Sequence, residues 1–447
     1  MAKRKVIIIG AAGRDFHNFN TYYRGNDAYD VVAFTAAQIP DIDGRKYPAA
    51  LAGAGYPNGI PIEAESELEA LIKKFGVDEC VFSYSDVTYQ HVMSVGAKCN
   101  AAGADFKLIG PKETQLKSTK PVISVGAVRT GCGKSQTSRR IVELLMEKGL
   151  KVVAVRHPMP YGDLIEQEVQ RFASVQDLKD HKCTIEEMEE YEPHVVRGNV
   201  IYAGVDYEKI LRAAENDKDG CDVVLWDGGN NDFPFYKSDL LVTVVDPHRP
   251  GNELNFYPGE VTLRMADVVV INKMDSAGPE GIQTVRESIA KVCRADTVVV
   301  DAASPLSIDK PELIKGKRVL VVEDGPTLTH GHMKIGAGTV AAMKCGAAEL
   351  VDPRPHLVGR LKETFATYPG IGVLLPAMGY GEQQLRDLEA TINAVDCDAV
   401  VIATPIDLNR IIRINKPSVK IGYDLQEIGT PNLTMVIADF VKKHNLV

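Results

Sequence analysis

The chemistry in this chain is concentrated in one segment, residues 124–140, which reads SVGAVRTGCGKSQTSRR. In a phosphate-binding loop of the pattern G-x-x-x-x-G-K-[ST], backbone N–H groups at a helix N-terminus face the phosphates. The lysine reaches the β- and γ-phosphates, and the hydroxyl binds Mg²⁺. Lys134 and Ser135 take these roles here. The contacts to a nucleotide are predicted to come from Thr130, Gly131, Cys132, Gly133, Lys134, Ser135 and Gln136.

The start of this loop departs from the usual pattern. Val128 stands where the first glycine belongs, and Arg129 follows it. Some P-loop proteins related to the signal-recognition and nitrogenase iron-protein class carry a basic residue at this point. A guanidinium forms bidentate hydrogen bonds with phosphate oxygens and stabilises the charge that develops in phosphoryl transfer. Arg129 is therefore predicted to contact the nucleotide, while a role in closing the surface of the loop stays open.

Two later segments are placed to complete a nucleotide site. The run DVVLWDGG ends a strand in Asp227, where a carboxylate would hold the water shell of Mg²⁺, so Ser135 and Asp227 are predicted to bind the metal. The segment INKMD fits N-K-x-D, and Asn272, Lys273 and Asp275 are predicted to lie against the base. This motif does not decide between GTP and ATP. The predicted catalytic residues are Lys134, Arg129 and Asp227.

Two polar loops are predicted to contact a substrate. VRHPMPYGDL places Arg156 and His157 directly after the strand that follows the P-loop helix. VEDGPTLTHGHMKIGAGT places His330, His332 and Lys334 in a glycine-rich segment after another strand. Lysine, histidine and backbone N–H groups suit a phosphorylated acid. The two histidines also suggest a metal, but no nearby cysteine or third histidine supports one, so anion binding is the favoured interpretation.

Short apolar runs such as KVIIIG and ADVVVI alternate with helical stretches along the chain, which predicts an α/β fold with parallel sheets. The polar segment GPKETQLKSTKPV indicates a junction. We therefore predict a smaller Rossmann-like domain over 1–118 and a doubly wound P-loop NTPase domain over 119–447, with the C-terminal strands extending the same sheet. The glycines of IIIGAAGRDFH depart from G-x-G-x-x-G, which favours a docking or anion-binding surface over a dinucleotide site.

Composition limits the environment and the partners. The 447 residues carry a formal net charge of −9, which argues against a broad nucleic-acid or anionic-membrane surface. The eight cysteines stand singly, as expected of free thiols in a reducing cytosol. No apolar run approaches the length that spans a bilayer. A cytoplasmic protein with no nucleic-acid or membrane partner is predicted.

The segments GAVRTGCGKSQTSRR, VRHPMPYGDL, WDGGNND, NKMD and EDGPTLTHG together resemble the cyclic 2,3-diphosphoglycerate synthetase family, in matching order along essentially the whole chain. The resemblance implies ATP with Mg²⁺, and closure of the two phosphates of 2,3-diphosphoglycerate into an intramolecular phosphoanhydride. Lys134, Arg129 and Ser135 would stabilise transfer of the γ-phosphoryl group, and the two polar loops would hold the small anionic phosphorylated substrate. A homodimer is expected for this class of P-loop protein.

Two alternatives stay open. A relative with this fold could act on another small phosphorylated or carboxylated acid. The chain could also be a GTP-dependent switch or a metallochaperone-type GTPase that uses N-K-x-D for guanine. Against that class, the sequence has no histidine-rich tail and no C-x-x-C pair. Nucleotide preference, measured with and without a small-molecule substrate, would discriminate between these functions.

Overall fold

The structure is a computed structural model, and it describes residues 2–11, 13–37, 44–156, 162–229, 232–329, 334–378 and 382–446. Among these residues the strands form sheets of six, nine and six strands, and two further strands form a short ribbon. Helices pack between and around the sheets, and the apolar side chains of the strands are almost entirely buried. The prediction of an α/β fold with a doubly wound P-loop sheet after a smaller Rossmann-like sheet is confirmed.

The first sheet contains the N-terminal strands. Its spatial order is Lys46–Tyr47, Ile60–Ala64, Tyr29–Ala36, Arg4–Ile9, Glu79–Phe82 and Asp105–Lys107. All neighbours are parallel except the first pair. The first strand of the chain lies near the middle and is buried from its third residue onwards, as its uninterrupted apolar run predicts.

The second sheet carries the phosphate-binding loop on a central strand. Its order is Gln170–Phe172, Val200–Ala203, Val152–Arg156, Val223–Asp227, Val122–Ala127, Leu240–Val245, Val268–Ile271, Val298–Ala303 and Gln426–Ile428. The two outermost strands are antiparallel and the remaining neighbours are parallel. The carboxyl ends of Val122–Ala127, Val152–Arg156 and Val223–Asp227 therefore meet at one edge.

The remaining strands correct one expectation. They form a third sheet in the order Leu306–Ile308, Ser418–Tyr423, Ala399–Ala403, Arg318–Asp324 and Glu349–Leu350, with Leu375–Ala377 also paired to Arg318–Asp324. The apolar pattern predicts that these strands extend the second sheet, but among the described C-terminal strands only Gln426–Ile428 joins it. That antiparallel strand occupies the edge beyond Val298–Ala303, and the third sheet buries a separate apolar core. The domain boundary at residue 118 stays a prediction.

The α-helices of the described residues differ widely in length. The helix after the phosphate loop, Lys134–Met146, and the helix Ile185–Val195 matter most for the site. The latter begins with a capping box between Thr184 and Glu187. The others are Arg14–Asn18, Ala49–Ala52, Leu68–Phe75, Tyr89–Ala102, Pro111–Thr114, Val175–Asp180, Tyr207–Glu215, Gly259–Met265, Pro279–Val292, Gly325–Leu328, Ala337–Lys344, Arg360–Thr367, Glu382–Ala394 and Leu433–Lys443.

Segments next to the first and second sheets are joined by one strand pairing and one buried ion pair. The strand Val87–Thr88 pairs with Phe256–Tyr257 in the short ribbon. Arg14 forms a buried ion pair with Asp232 at 2.8 Å. These contacts place the loop that follows Glu79–Phe82 beside the phosphate-binding loop.

Candidate active site

The phosphate-binding loop has the backbone conformation that its glycines permit. It connects the buried strand Val122–Ala127 to the helix Lys134–Met146. Gly131 has φ +81° and Gly133 has φ +107°, in the left-handed region that favours glycine. A Cβ atom at Gly133 would overlap the side-chain amides of Asn272 and Gln136. The loop therefore needs glycine at this position both for conformation and for space.

The N-K-x-D segment supports the loop from behind. Asn272 Nδ2 donates to the carbonyl oxygen of Cys132 at 2.9 Å, and Lys273 Nζ donates to that of Gly131 at 2.6 Å. The Lys273 ammonium also pairs with the buried Asp246 at 2.9 Å. The exposed Asp275 accepts a hydrogen bond from the backbone N–H of Ser304 at 3.0 Å. Two of the three predicted base contacts thus brace the loop, and contact with a base stays a prediction for all three.

Lys134 and Asp227, two of the predicted catalytic residues, are in direct contact. Lys134 Nζ lies 2.6 Å from Asp227 Oδ1. The same oxygen accepts from Ser138 Oγ at 2.7 Å, and His194 Nε2 lies 3.2 Å from Asp227 Oδ2. Burial favours the neutral acid, yet Lys134 and then the hydrogen bond from His194 hold the pKa of Asp227 well below its ordinary value. Asp227 is thus a buried carboxylate anion.

Arg156, a predicted substrate residue, lies in the same network. Its Nη1 donates to the carbonyl oxygens of Asp227 and Gly228 at 3.0 and 3.1 Å. Its Nη2 lies 2.5 Å from Glu190 Oε1. The second oxygen of Glu190 accepts from Ser135 Oγ at 3.4 Å. Arg156 therefore joins the end of the Asp227 strand to the helix that carries Glu190.

The donors beside Ser135 fit a nucleotide-bound magnesium ion. The Ser135 hydroxyl and the Glu190 carboxylate are hard oxygen ligands, which Mg²⁺ prefers, and phosphates and water would complete its octahedron. Within the described ranges no three His, Cys, Asp or Glu side chains come together as a metal cluster of their own. The carboxylate next to Ser135 is Glu190, while both oxygens of Asp227 already have partners. Direct binding of Mg²⁺ by Asp227 stays a prediction.

Arg129 connects the loop to the N-terminal sheet. Its Nε lies 2.5 Å from Asp86 Oδ1, and its Nη1 donates to Asn252 Oδ1 at 2.5 Å. The guanidinium stacks over Phe256, 3.6 Å from the ring centroid, and the side chain is 4% exposed. The backbone N–H of Thr130 also donates to Asp86, at 3.4 Å. This geometry favours the role in closing the loop, and a contact from Arg129 to nucleotide stays a prediction.

The other predicted substrate residues are only partly covered. His157, His330 and His332 lie outside the described residues. Lys334 is solvent-exposed shortly before the helix Ala337–Lys344. The strand Arg318–Asp324 precedes this segment and ends in two acidic residues. Of these, Glu323 is buried and accepts hydrogen bonds from the backbone N–H and the hydroxyl of Thr339. Burial raises the pKa of Glu323 to about 7.

Three site residues were missed by the sequence analysis. Ser138 and His194 hold Asp227, and Glu190 lies beside Ser135. Ser138 follows Lys134 by four positions on a helix, so their side chains share one face, and this spacing could have identified it. Glu190 and His194 come from a helix that no motif marks, and only the tertiary structure brings them to the loop.

A central parallel strand that ends in a Gly-Lys-Ser loop, followed in space by a neighbouring strand that ends in aspartate, defines a P-loop NTPase fold. The chain is 61% identical over 440 residues to arginine synthetase ArcE of Thermococcus kodakarensis, a match that covers 98% of this chain and 97% of the relative. The chain therefore belongs to the arginine synthetase ArcE family, and the prediction of an ATP-dependent enzyme of the ligase or synthetase class is confirmed.

The likeness to cyclic 2,3-diphosphoglycerate synthetase is narrower than the sequence analysis expected. The enzyme of Thermococcus sibiricus is 27% identical over 105 residues, or 24% of each chain. The chain also resembles a solved structure of apo-form LpxK from Aquifex aeolicus in complex with ATP, at 11% identity and a TM-score of 0.45, over 83% of this chain and 99% of that one. No protein-family profile matches the chain. No helix within the described ranges is long and apolar enough to cross a membrane.

Proposed function

We propose that this protein is an ATP-dependent synthetase that makes arginine. The observation that carries the proposal is the 61% identity to an arginine synthetase over nearly the whole of both chains. The loop from Gly131 to Ser135, with Lys134 at its helix N-terminus, supports ATP as the source of energy. The first observation comes from the overall sequence, and the second comes from the local geometry of the loop.

The chemistry of arginine indicates the reaction class. The guanidinium carbon carries three nitrogens, so a precursor with oxygen in place of one of them, a ureido group, needs one C–N bond. Transfer of the γ-phosphoryl group of ATP to that oxygen would release ADP and convert the oxygen into a leaving group. Ammonia then attacks the carbon, the C–O bond breaks, phosphate leaves and the nitrogen loses a proton. The balance is one ATP consumed for one arginine, one ADP and one phosphate.

The described residues can be assigned to the first of these steps. The loop N–H groups and Lys134 would hold the β- and γ-phosphates, and Ser135 with Glu190 would hold Mg²⁺. Mg²⁺ supplies charge neutralisation on the phosphates when it is bound. Arg156 keeps Glu190 oriented toward Ser135. Positioning and charge account for most of the catalysis in such a transfer, so no protein nucleophile is required.

A second candidate substrate is a small phosphorylated acid such as 2,3-diphosphoglycerate. The partial match to cyclic 2,3-diphosphoglycerate synthetase favours it. The γ-phosphoryl group would then be transferred to a substrate phosphate instead of a ureido oxygen. Both reactions use the same nucleotide half of the site, so the acceptor distinguishes them.

The test is a matrix of purified protein with Mg-ATP or Mg-GTP, each with citrulline plus ammonium, with 2,3-diphosphoglycerate, or with neither. Citrulline is the ureido amino acid that corresponds to arginine. Amino-acid analysis detects arginine, and phosphorus NMR detects ADP, phosphate and any cyclic phosphoanhydride. Arginine formed in equal amount with ADP supports the proposal, and Lys134→Met, similar in length but uncharged, should abolish it. Formation of a cyclic phosphoanhydride would contradict arginine synthesis and support the second candidate. GTP turnover that no acceptor stimulates would support a GTP-dependent switch instead.

A further inference from the structure

A histidine that no motif marks lies at the centre of the nucleotide site. His194 Nε2 is 3.2 Å from Asp227 Oδ2, and His194 Nδ1 is 3.1 Å from Asn199 Nδ2. The three side chains are buried, with His194 and Asn199 each 3% exposed. A buried polar chain of this kind is retained only where every group finds a partner.

Both ring nitrogens of His194 face a polar side chain. The amide nitrogen of Asn199 is a donor, so His194 Nδ1 accepts. His194 Nε2 faces Asp227, so an N–H group at this nitrogen donates to the carboxylate. The hydrogen bond from His194 therefore stabilises the negative charge of Asp227.

The partners of Asp227 differ in whether they must also bind the nucleotide. Lys134 is bound to Asp227 Oδ1 at 2.6 Å, and the same ammonium is the group that a P-loop uses to bind the β- and γ-phosphates. To reach a nucleotide, Lys134 must lose this contact. Ser138 and His194 have no such second partner in the reaction, so they remain on the carboxylate.

We propose that His194 is a positioning residue that keeps Asp227 oriented as an anion while Lys134 moves to the phosphates. Without the N–H of His194, and once Lys134 has moved, Asp227 would keep Ser138 as its one hydrogen-bonded side chain among the described residues, with Arg156 at 3.7 Å. A buried anion with too few donors is costly. Lys134 would then be released less readily and nucleotide would bind more weakly. The proposal rests on the proposed function in so far as ATP is the ligand.

The binding experiment compares two substitutions of nearly equal volume. His194→Gln keeps an N–H group within reach of Asp227, and His194→Met removes it. Trp226, the single tryptophan of the chain, is fully buried and precedes Asp227, so its fluorescence can follow a titration with Mg-ATP. We expect Kd to rise about tenfold in His194→Met and to stay within about twofold of the wild type in His194→Gln. Equal Kd values for the two variants would overturn the proposal.

A matched control and a fallback complete the binding test. His181, at the end of the helix Val175–Asp180, contacts Gln170 and Phe172 of the edge strand and not Asp227, so His181→Met should leave Kd unchanged. If His194→Met does not fold, Asn199→Met keeps the ring but removes the amide that contacts its Nδ1. An increase in Kd in Asn199→Met supports the proposal, and a wild-type Kd overturns it.

A second experiment needs no nucleotide and separates this proposal from the proposed function. Lys134→Met leaves Asp227 with Ser138, His194 and, at 3.7 Å from Oδ1, Arg156. Lys134→Met combined with His194→Met removes one more donor and leaves Ser138 and Arg156. We expect the melting temperature of the double variant to fall further than the sum of the two single losses, by about 2–4 °C. Additive losses would overturn the role of His194. A wild type that binds no nucleotide but shows this coupling would instead contradict the function.

Discussion

The ion pair between Arg129 and Asp86 gives a direct test of what the arginine in the phosphate loop does. The two side chains are 4% and 6% exposed and lie 2.5 Å apart. If the pair locks the loop to the N-terminal sheet, replacement of either residue should destabilise the protein. We consider Asp86→Asn and Arg129→Met. Asp86 has φ +60°, a conformation that asparagine tolerates better than other side chains, so the backbone should be preserved.

The magnitude follows from the partners that remain. Removal of one member of a buried ion pair typically costs about 3–5 kcal/mol. After Asp86→Asn, Arg129 keeps its hydrogen bond to Asn252 and its stacking on Phe256, so we expect a loss of about 2–3 kcal/mol. Arg129→Met leaves Asp86 with the N–H of Thr130 and should cost about 3 kcal/mol. The double variant should lose about as much as the worse single variant, which indicates a coupling of about 2 kcal/mol.

The assay is guanidinium unfolding of the wild type, the two single variants and the double variant, with steady-state turnover measured in parallel. Asp105→Asn is a suitable control, because that carboxylate pairs with Arg4 at an exposed position where ion pairs contribute little. A locking role predicts comparable losses of stability in both single variants. If Asp86→Asn has wild-type stability and turnover while Arg129→Met loses only kcat, by about 10³-fold, the arginine is catalytic and the reasoning is refuted.

Three further outcomes are expected. Since burial raises the pKa of Glu323 to about 7, its contribution to stability is greatest below its ordinary pKa and is lost as the pH rises through 7. The melting temperature of Glu323→Gln should therefore depend less on pH between about pH 5 and pH 8 than that of the wild type. The same pH dependence in both proteins would contradict this. Gly133→Ala should abolish ATP binding and lower stability by about 2 kcal/mol, as calorimetry can measure, because the methyl group would overlap Asn272 at a positive φ. Glu190→Gln should raise the Mg²⁺ concentration for half-maximal activity about tenfold, and an unchanged requirement would remove Glu190 from the metal site.

The sequence predicted the parts of this protein that are local in the chain. The strand before the loop, the glycine turn and the helix from Lys134 are contiguous, and their pattern is specific. The contact between Arg129 and Asp86 joins residues 43 positions apart, and nothing in either segment indicates the other. The separate third sheet was missed for the same reason, since an apolar run predicts a buried strand but not which strand it pairs with.

The loop is held from two sides, and this determines how it can work. Asp86, in the loop that follows the strand Glu79–Phe82, accepts hydrogen bonds from Arg129 and from the backbone N–H of Thr130. On the other side, Asn272 and Lys273 donate to the carbonyl oxygens of Cys132 and Gly131. The contacts from Asn272 and Lys273 occupy carbonyl oxygens of the loop, so they hold its backbone in place without using the N–H groups that a P-loop offers to a phosphate. Nucleotide binding then needs little further ordering of the loop backbone. The rearrangement that it still requires is the release of Lys134 from Asp227. Nucleotide affinity should therefore respond more strongly to changes around Asp227 than to changes in the loop supports, whose loss should appear first as lower stability.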